Sequence, residues 1–256
     1  MEQPGPAMRT CKEILRRLRP PGKKPRVWLL EKEKIGYIRV RKVASSSISH
    51  CLTQHIVNSS SNQDAVVNKA LIRETESRYA SHIPPSVIRR DLKGKYFLFG
   101  FVRNPLSRAY SCYMNKVINP GMAGKKHVLN NSEFYFGMDF PEFVDVIVKL
   151  PDNIIDRHLC SQAWFLSDEH GLLPDYIGKL ENFDADWSVI SDKYGLPKPI
   201  HWNKTGKSGK ITDVCPRASL EQLIERYAGD IELFGYQQAV DDMLAEYPAT
   251  IHQQTG

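Results

Sequence analysis

Apolar residues along the chain form short runs that predict strands, each followed by a loop and then by helical spacing. Residues 27–30 (Val-Trp-Leu-Leu) and 35–40 (Ile-Gly-Tyr-Ile-Arg-Val) are rich in β-branched and aromatic residues, as strands are. Apolar positions in residues 48–57 recur at helical spacing. Residues 95–102 form a nearly continuous apolar run, which is typical of a strand covered on both faces. Two such strand–loop–helix units predict an α/β domain whose central parallel sheet is flanked by helices.

The same spacing predicts the remaining elements. Helices are expected at residues 69–79, 104–116, 140–149, 153–166, 184–194 and 217–228, a short helical turn at 84–92 and a strand at 175–180. Two long segments, 118–137 and 201–215, lack any such period and are predicted to be surface loops. Loops of this length are often lids or binding segments.

Composition indicates one folded domain. The chain has 256 residues, of which 41% are hydrophobic and 25% charged, so it is neither a disordered nor a fibrous protein. We expect a basic N-terminal arm over residues 1–26, one domain over 27–246 and a C-terminal tail over 247–256. This length allows a sizeable core.

The positive charge is concentrated at the N-terminus. The formal net charge is +6, and residues 1–26 contain eight Lys and Arg against two Glu, so this segment accounts for the whole excess. One interpretation is a solvated tail. The other is attraction to a polyanionic acceptor, a nucleic acid or a membrane surface. The solvated tail is the simpler interpretation, and a nucleic-acid partner is not expected.

Cysteine usage and hydropathy suggest a compartment. The five cysteines are scattered, without CxxC or metal-ligand spacing, which favours a reducing environment. No run approaches the ~20 apolar residues of a membrane span, and no apolar stretch follows the basic N-terminus as in a secretory signal. These features predict a cytoplasmic protein without a transmembrane segment.

The loop after the second predicted strand is a candidate phosphate-binding site. Lys42 precedes Val43, Ala44, Ser45, Ser46 and Ser47, which open a predicted helix. A helix N-terminus has unpaired N–H groups and partial positive charge, both of which favour phosphate. The loop lacks the G-x-x-x-x-G-K-[ST] pattern of NTP-hydrolysing proteins. By itself, this pattern also fits an ordinary serine N-cap next to a surface lysine.

A second candidate follows the apolar strand. Asn104 is suited to the N-cap of a helix and Pro105 to its first turn. Arg103 offers a planar fork for phosphate, and Ser111 lies on the same predicted helical stripe. The alternative is that Arg103 only satisfies strand ends and that Ser111 is solvated.

Together these segments resemble the PAPS-dependent carbohydrate sulfotransferases, the Golgi-type, family 2-like enzymes that use 3′-phosphoadenosine 5′-phosphosulfate. Residues 37–48 are similar to their 5′-phosphosulfate loop, except that Arg41 stands where proline is usual. Residues 99–113 are similar to their 3′-phosphate-binding segment. The likeness spans about residues 35–236. Further similar segments are 156–162, 176–183, 201–205 and 234–236.

The resemblance implies a P-loop-like nucleotide-binding fold and a sulfotransferase with PAPS as co-substrate. The acceptor it implies is a hydroxyl, in this family a carbohydrate hydroxyl. Lys42 matches the lysine at the leaving oxygen, Val43 to Ser47 match the cradle, and Arg103 and Ser111 match the 3′-phosphate ligands. Lys204, Thr205 and Lys207 are candidates to close over the nucleotide or are solvated side chains. No divalent metal is expected, because the protein's own cations serve.

The acceptor hydroxyl needs a general base, and two histidines are candidates. His82 comes first, since related enzymes place a histidine that is often taken as the base in the corresponding stretch. His158 comes second, because its Asp-x-His pair is also compatible with a structural role. Glu181 is expected to be a structural anchor.

Two other function classes compete with sulfuryl transfer. A nucleotide kinase would need a Walker glycine loop and a magnesium carboxylate, and neither is clear in the sequence. A non-catalytic module that binds polyanions through the basic arm would leave Lys42, Arg103 and Ser111 without roles.

Overall fold

The structure, a computed structural model, describes residues 24–60, 66–125, 128–199 and 209–247. The strands of its main sheet are β1 Arg26–Leu30, β2 Ile35–Arg39, β3 Ala80–His82, β4 Phe97–Val102 and β7 Tyr176–Lys179. Their order across the sheet is β3-β1-β2-β4-β7. A separate two-stranded sheet pairs β5 Ser167–Asp168 with β6 Gly171–Leu172.

Helices surround the main sheet. They are α1 Ser45–Ser60, α2 Lys69–Tyr79, α3 Pro85–Val87, α4 Pro105–Tyr113, α5 Phe140–Lys149, α6 Ala163–Leu166, α7 Phe183–Tyr194, α8 Arg217–Arg226, α9 Ala228–Leu233 and α10 Gln237–Ala245. Short π-helices cover Ile88–Leu92 and Met114–Ile118, and 3-10 turns cover Pro120–Met122, Leu180–Asn182 and Ile211–Asp213. Within the described part of the chain, no helix combines the length and the apolar character needed to cross a membrane.

The sheet is mixed, so the prediction of a parallel central sheet is wrong for β1, which runs opposite to the other four strands. β2, β4 and β7 are parallel, whereas β1 runs antiparallel to both β2 and β3. Only residues 31–34 separate β1 from β2, and such a short connection can form a hairpin but not the crossover that parallel strands need. The predicted α/β architecture with helices around one sheet is confirmed.

The core lies on both faces of the three parallel strands. Residues Leu98 to Val102 of β4 are buried, as the apolar run predicts. Tyr37 of β2 stacks on Phe99 of β4 with their ring centroids 5.2 Å apart. The parallel strands are therefore fixed by side chains on either side, and their carboxyl ends meet at one edge of the sheet.

The predicted helix at residues 153–166 is helical only over Ala163–Leu166. The preceding residues form turns that side-chain hydrogen bonds hold in place. Buried Asp152 accepts bonds from the backbone N–H of Ser161 (2.9 Å) and from Arg226 (2.6 Å). The bond to Arg226 reaches helix α8, so tertiary contacts rather than local propensity determine the backbone here. Ile155 and Leu159 are buried at helical spacing without being helical, which explains the error.

Beyond Ile118, which ends a π-helix, the predicted loop at 118–137 contains only turns, bends and one 3-10 helix among its described residues. Residues 201–208 of the second predicted loop, and residues 1–23 of the predicted arm, lie outside the described residues. β1 begins at Arg26, the last residue of the predicted arm. The limits proposed for the arm, the domain and the tail stay predictions.

Candidate functional site

The loops after β2 and β4 meet at one edge of the sheet because these strands are parallel neighbours. This is the position at which open α/β sheets bind ligands. A cavity of about 520 Å³ opens there. Eight of the residues predicted from the sequence line it, namely Lys42, Ala44, Ser45, Ser46, Ser47, Arg103, Ser111 and His158.

The loop between β2 and α1 has an unusual backbone. Lys42 and Ala44 adopt positive φ angles of 68° and 58°, a region that residues other than glycine rarely occupy. Alternating left-handed residues turn successive N–H groups toward a concave, anion-binding surface. Val43 lies between them with its side chain in the hydrophobic core, outside the cavity lining. The core thus anchors a strained turn at the N-terminus of α1.

Five cations line the cavity, namely Arg39, Arg41, Lys42, Arg103 and Lys116. Arg39 pairs with Glu76. The other four take part in no ion pair within the described residues. Burial lowers the pKa of Lys42; Cys112 opposes this change, and the charges of Arg103 and Lys116 add to it. Glu181 and Asp184 belong to the same lining but are outnumbered by the cations, and this excess of positive charge attracts an anionic ligand.

The backbone at Arg103 is fixed from two sides. Its N–H donates to Oε1 of Gln162 (2.9 Å), and Nε2 of Gln162 donates to its carbonyl (2.8 Å). The N–H of Asn104 donates to Oε1 of Glu181 (2.7 Å), whose Oε2 accepts from the hydroxyl of Tyr236 (2.9 Å). Glu181 is thus the anchor that the sequence predicts.

Helix α4 carries Ser111, which the sequence predicts as a site residue, and Arg108, which it does not. Asn104 caps it by accepting bonds from the N–H groups of Leu106 (3.0 Å) and Ser107 (3.1 Å), as predicted. Two turns further on, Ser111 reaches the cavity. Arg108 is fully buried and donates to the carbonyl of His158 (2.8 Å) and to that of Cys160.

Arg108 is a residue that sequence reasoning missed. It ties α4 to the segment that carries His158, so the two walls of the cavity share one buried cation. The available signal was the position of this arginine among Leu106, Ala109 and Tyr110, which are apolar residues of the same helix.

His158 forms a dyad with Asp156 beside the cavity. Oδ1 of Asp156 lies 2.6 Å from Nδ1 of His158 and accepts from the His158 backbone N–H at 2.8 Å. Burial lowers the pKa of His158, and the Asp156 carboxylate opposes this shift. Burial alone would raise the pKa of Asp156, but the hydrogen bonds to His158 hold this pKa well below its usual range. With Nδ1–H donated to the carboxylate, Nε2 keeps a lone pair and can accept a proton.

His82 is placed elsewhere. It ends the edge strand β3 and lies outside the lining of the large cavity. Its Nε2 accepts a hydrogen bond from Nη1 of Arg157 at 3.1 Å. Burial lowers its pKa, and the charge of Arg157 lowers it further. The geometry favours His158 over His82, the first candidate from the sequence, as the histidine at the cavity.

Comparison with known proteins assigns the chain to a family. The sequence profile described as "Sulfotransferase family" matches residues 25–237, which include both loops and the dyad. The chain belongs to the sulfotransferase family. This sulfotransferase is 27% identical over 184 residues to carbohydrate sulfotransferase 14 of Danio rerio, covering 62% of the chain and 48% of that relative. The namesakes from Mus musculus and Homo sapiens are each 24% identical over 181 residues, covering 62% of the chain and 46% of the relative.

The chain spans about half the length of the curated relatives it matches. No solved structure matches this sulfotransferase significantly. Lys204, Thr205 and Lys207 lie outside the described residues. Among residues 24–60, 66–125, 128–199 and 209–247, no three His, Cys, Asp or Glu side chains converge in the manner of a metal site.

Proposed function

We propose that the chain transfers a sulfuryl group from PAPS to a hydroxyl of a carbohydrate. Membership of the sulfotransferase family and similarity to proteins named carbohydrate sulfotransferase 14 support this proposal. One observation carries it: three segments that are distant in the sequence line a single cavity, and they contribute Lys42, the pair Arg103 and Ser111, and His158.

The cavity fits a doubly phosphorylated nucleotide. Its volume of about 520 Å³ lies within the roughly 300–1,000 Å³ range of small-molecule sites. The strained turn and the N-terminus of α1 present N–H groups at the end of β2, where they would hold the 5′-phosphosulfate. Arg103 and Ser111 lie past the end of β4 and would hold the 3′-phosphate. Two anion sites at neighbouring strand ends match the two charged ends of this donor.

When bound, PAPS supplies a sulfuryl group, and the bond between sulfur and the 5′-phosphate oxygen is the bond that breaks. Lys42 would stabilise the charge that develops on that departing oxygen. His158 Nε2 takes the proton of the acceptor hydroxyl while the new oxygen–sulfur bond forms. Asp156 keeps Nδ1 protonated and stabilises the imidazolium. Adenosine 3′,5′-bisphosphate leaves, and the imidazolium passes its proton to solvent.

Calorimetry with two nucleotides tests the proposal. Adenosine 3′,5′-bisphosphate and adenosine 5′-monophosphate differ only in the 3′-phosphate. We expect the wild type to prefer the bisphosphate, and Arg103→Ala to reduce that affinity by roughly tenfold or more while changing monophosphate binding little. The matched control is Arg217→Ala, which removes a partly exposed arginine on α8 that pairs with Glu221.

Two outcomes would contradict the assignment. One is an Arg103→Ala variant whose affinity falls by the same factor for both nucleotides. That result would show that Arg103 does not contact the 3′-phosphate. The other is a wild type that binds ATP better than the bisphosphate, as a nucleotide kinase would.

A further inference from the structure

Lys116 is a cavity residue that belongs to neither phosphate-binding loop. It lies on the short π-helix Met114–Ile118, directly after α4, and it lines the large cavity together with Lys42, Ser111 and His158. It forms no ion pair in the part of the chain that the structure describes. A lysine that faces a ligand cavity without pairing with a carboxylate is available to an anionic group of the ligand.

The π-helix determines where Lys116 projects. An α-helix rotates by about 100° per residue, so an unbroken α4 would direct Ser111 and Lys116 to different sides of the helix. Both residues nevertheless line one cavity. The wider π-helical turn that contains Lys116 accounts for this difference, and such turns occur frequently at functional sites.

The backbone around Lys116 is anchored by residues outside the cavity lining. Val117 is fully buried, and its carbonyl accepts a hydrogen bond from the N–H of Gly137 at 3.0 Å. Tyr113, which precedes the π-helix, is also buried, and its hydroxyl donates to the carbonyl of Met138 at 3.0 Å. The segment that carries Lys116 is therefore held in place, unlike that of a lysine on a free surface loop.

The charge of Lys116 acts on both residues assigned to the reaction. Burial lowers the pKa of Lys42 and that of His158, and the positive charge of Lys116 adds to both shifts. Because the interaction of charges declines with distance, the ammonium group lies near both side chains. Lys42 would meet the departing oxygen and His158 the acceptor hydroxyl, and the group that moves between these two oxygens is the sulfuryl group.

The phosphates of the donor already have ligands in the proposed site. The N–H groups at the start of α1 would hold the 5′-phosphate, and Arg103 and Ser111 would hold the 3′-phosphate. These contacts leave the non-bridging oxygens of the sulfuryl group without a ligand. In-line transfer of such a group depends on its position and on the charges around its oxygens, so a cation between Lys42 and His158 has a defined use.

We propose that Lys116 is a further catalytic residue, which binds the non-bridging oxygens of the sulfuryl group as it passes from donor to acceptor. The sulfur–oxygen bond to the 5′-phosphate breaks, the bond to the acceptor oxygen forms, and the acceptor proton moves to His158. Lys116 keeps its protons throughout. This inference rests on the proposed function, and it adds a residue outside the two phosphate-binding loops.

Binding of orthovanadate tests the proposal without turnover. Orthovanadate forms trigonal-bipyramidal species and thus imitates the sulfur centre during transfer, whereas adenosine 3′,5′-bisphosphate lacks the sulfuryl group. Calorimetry measures the affinity of the wild type for the bisphosphate, and then that of the bisphosphate-saturated protein for orthovanadate. We expect Lys116→Met to leave bisphosphate affinity unchanged and to weaken orthovanadate binding by roughly tenfold or more, through loss of a charged hydrogen bond. Lys116→Arg should restore part of that loss.

The matched control is Lys149→Met, which removes the same charge from an exposed position at the end of α5. It should leave both affinities as in the wild type. Orthovanadate affinity that Lys116→Met retains, or that Lys149→Met loses equally, would overturn the inference. So would a loss of bisphosphate affinity by the same factor, because Lys116 would then be a ligand of the nucleotide. A wild-type complex that binds no orthovanadate would also overturn it.

The position of Lys116 is tested separately in the protein without ligands. The pKa of His158 is measured from its imidazole resonance, which His158→Gln identifies by removing it. Lys116→Met should raise this pKa, because a nearby positive charge opposes protonation. Asp156 and Arg41 also act on His158 and stay in place in this variant. An unchanged pKa would show that Lys116 does not lie near His158.

The failure of this inference is distinguishable from failure of the proposed function. If the wild type prefers adenosine 3′,5′-bisphosphate to the monophosphate but Lys116→Met binds orthovanadate as the wild type does, Lys116 has no contact with the sulfuryl group and the proposed function stands. If the wild type shows no such preference, the proposed function itself fails.

Discussion

Nδ1 of His158 lies 2.6 Å from Oδ1 of Asp156, and the same oxygen accepts the backbone N–H of His158 at 2.8 Å. The other carboxylate oxygen accepts from the N–H of Asn130 at 2.9 Å. Asp156 therefore fixes both the position and the tautomer of the imidazole, because a nitrogen that donates to a carboxylate must carry the proton. The ring is left with Nε2 as its basic atom beside the cavity.

Replacing His158 tests whether it is the general base. We expect His158→Gln to lower kcat by about 10²–10⁴-fold, the usual contribution of acid–base catalysis, with bisphosphate affinity unchanged. His170→Gln is the matched control, since His170 is exposed. If His158→Gln stays active and His82→Gln loses turnover, the base is His82.

The pH dependence of kcat should follow the pKa of His158. The base works when neutral, so activity falls as pH drops through that pKa. Burial lowers this pKa below its ordinary value of about 6.5, so the acid limb of the kcat profile should lie below that pH. Asp156→Asn removes the charge that opposes this shift. It should move the limb to still lower pH and reduce the plateau by roughly 10²–10⁴-fold. A limb that moves upward would contradict the dyad.

Lys42 should affect turnover more than binding. In the proposed mechanism Lys42→Ala removes the cation next to the departing oxygen, and a donor at such a position contributes about 10²–10³-fold to kcat. Lys149→Ala, which removes an exposed lysine at the end of α5, is the control. Single-turnover rates and bisphosphate affinities measure the two effects separately. An affinity loss that equals the rate loss would make Lys42 a binding residue only.

The sequence predicted the cavity walls because each depends on a local pattern. The buried strand and the asparagine N-cap after it specify where Arg103 lies, and a serine-rich turn specifies where α1 begins. Parallel pairing of β2 with β4 then brings both loops to one edge. Apart from this strand pairing, the inference needs no contact between residues that are distant in the sequence.

The choice between the two histidines could not be made from the sequence. It depends on β3 pairing with β1 at the sheet edge, which places His82 opposite Arg26. It also depends on the turns that Asp152 stabilises in place of the expected helix at residues 153–166. Helices α9 and α10 were likewise missed. Each of these features is determined by tertiary contacts rather than by local propensity.

Close packing between β4 and β7 should make any residue larger than glycine destabilising at position 178. Gly178 of β7 pairs with Phe101 of β4, and a Cβ at this position would lie 2.4 Å from Cε1 of the Phe101 ring. Gly178→Ala must therefore displace a buried aromatic ring, and it should lower the free energy of unfolding by about 1–3 kcal/mol in denaturant titrations. Gly121→Ala is the control, because its added methyl would meet only Asn119 Oδ1, at 3.4 Å.

A second substitution distinguishes crowding from a backbone effect. In the Gly178→Ala background, Phe101→Leu removes the ring atoms that the new methyl would contact. If crowding is the cause, the double variant should lose less stability than the sum of the two single variants, since residues in contact are not additive. Strict additivity, or a Gly178→Ala variant as stable as the wild type, would show that β7 can shift away from β4. In that case Glu181, three residues further along, would not be held rigidly enough to anchor Asn104 at the cavity edge.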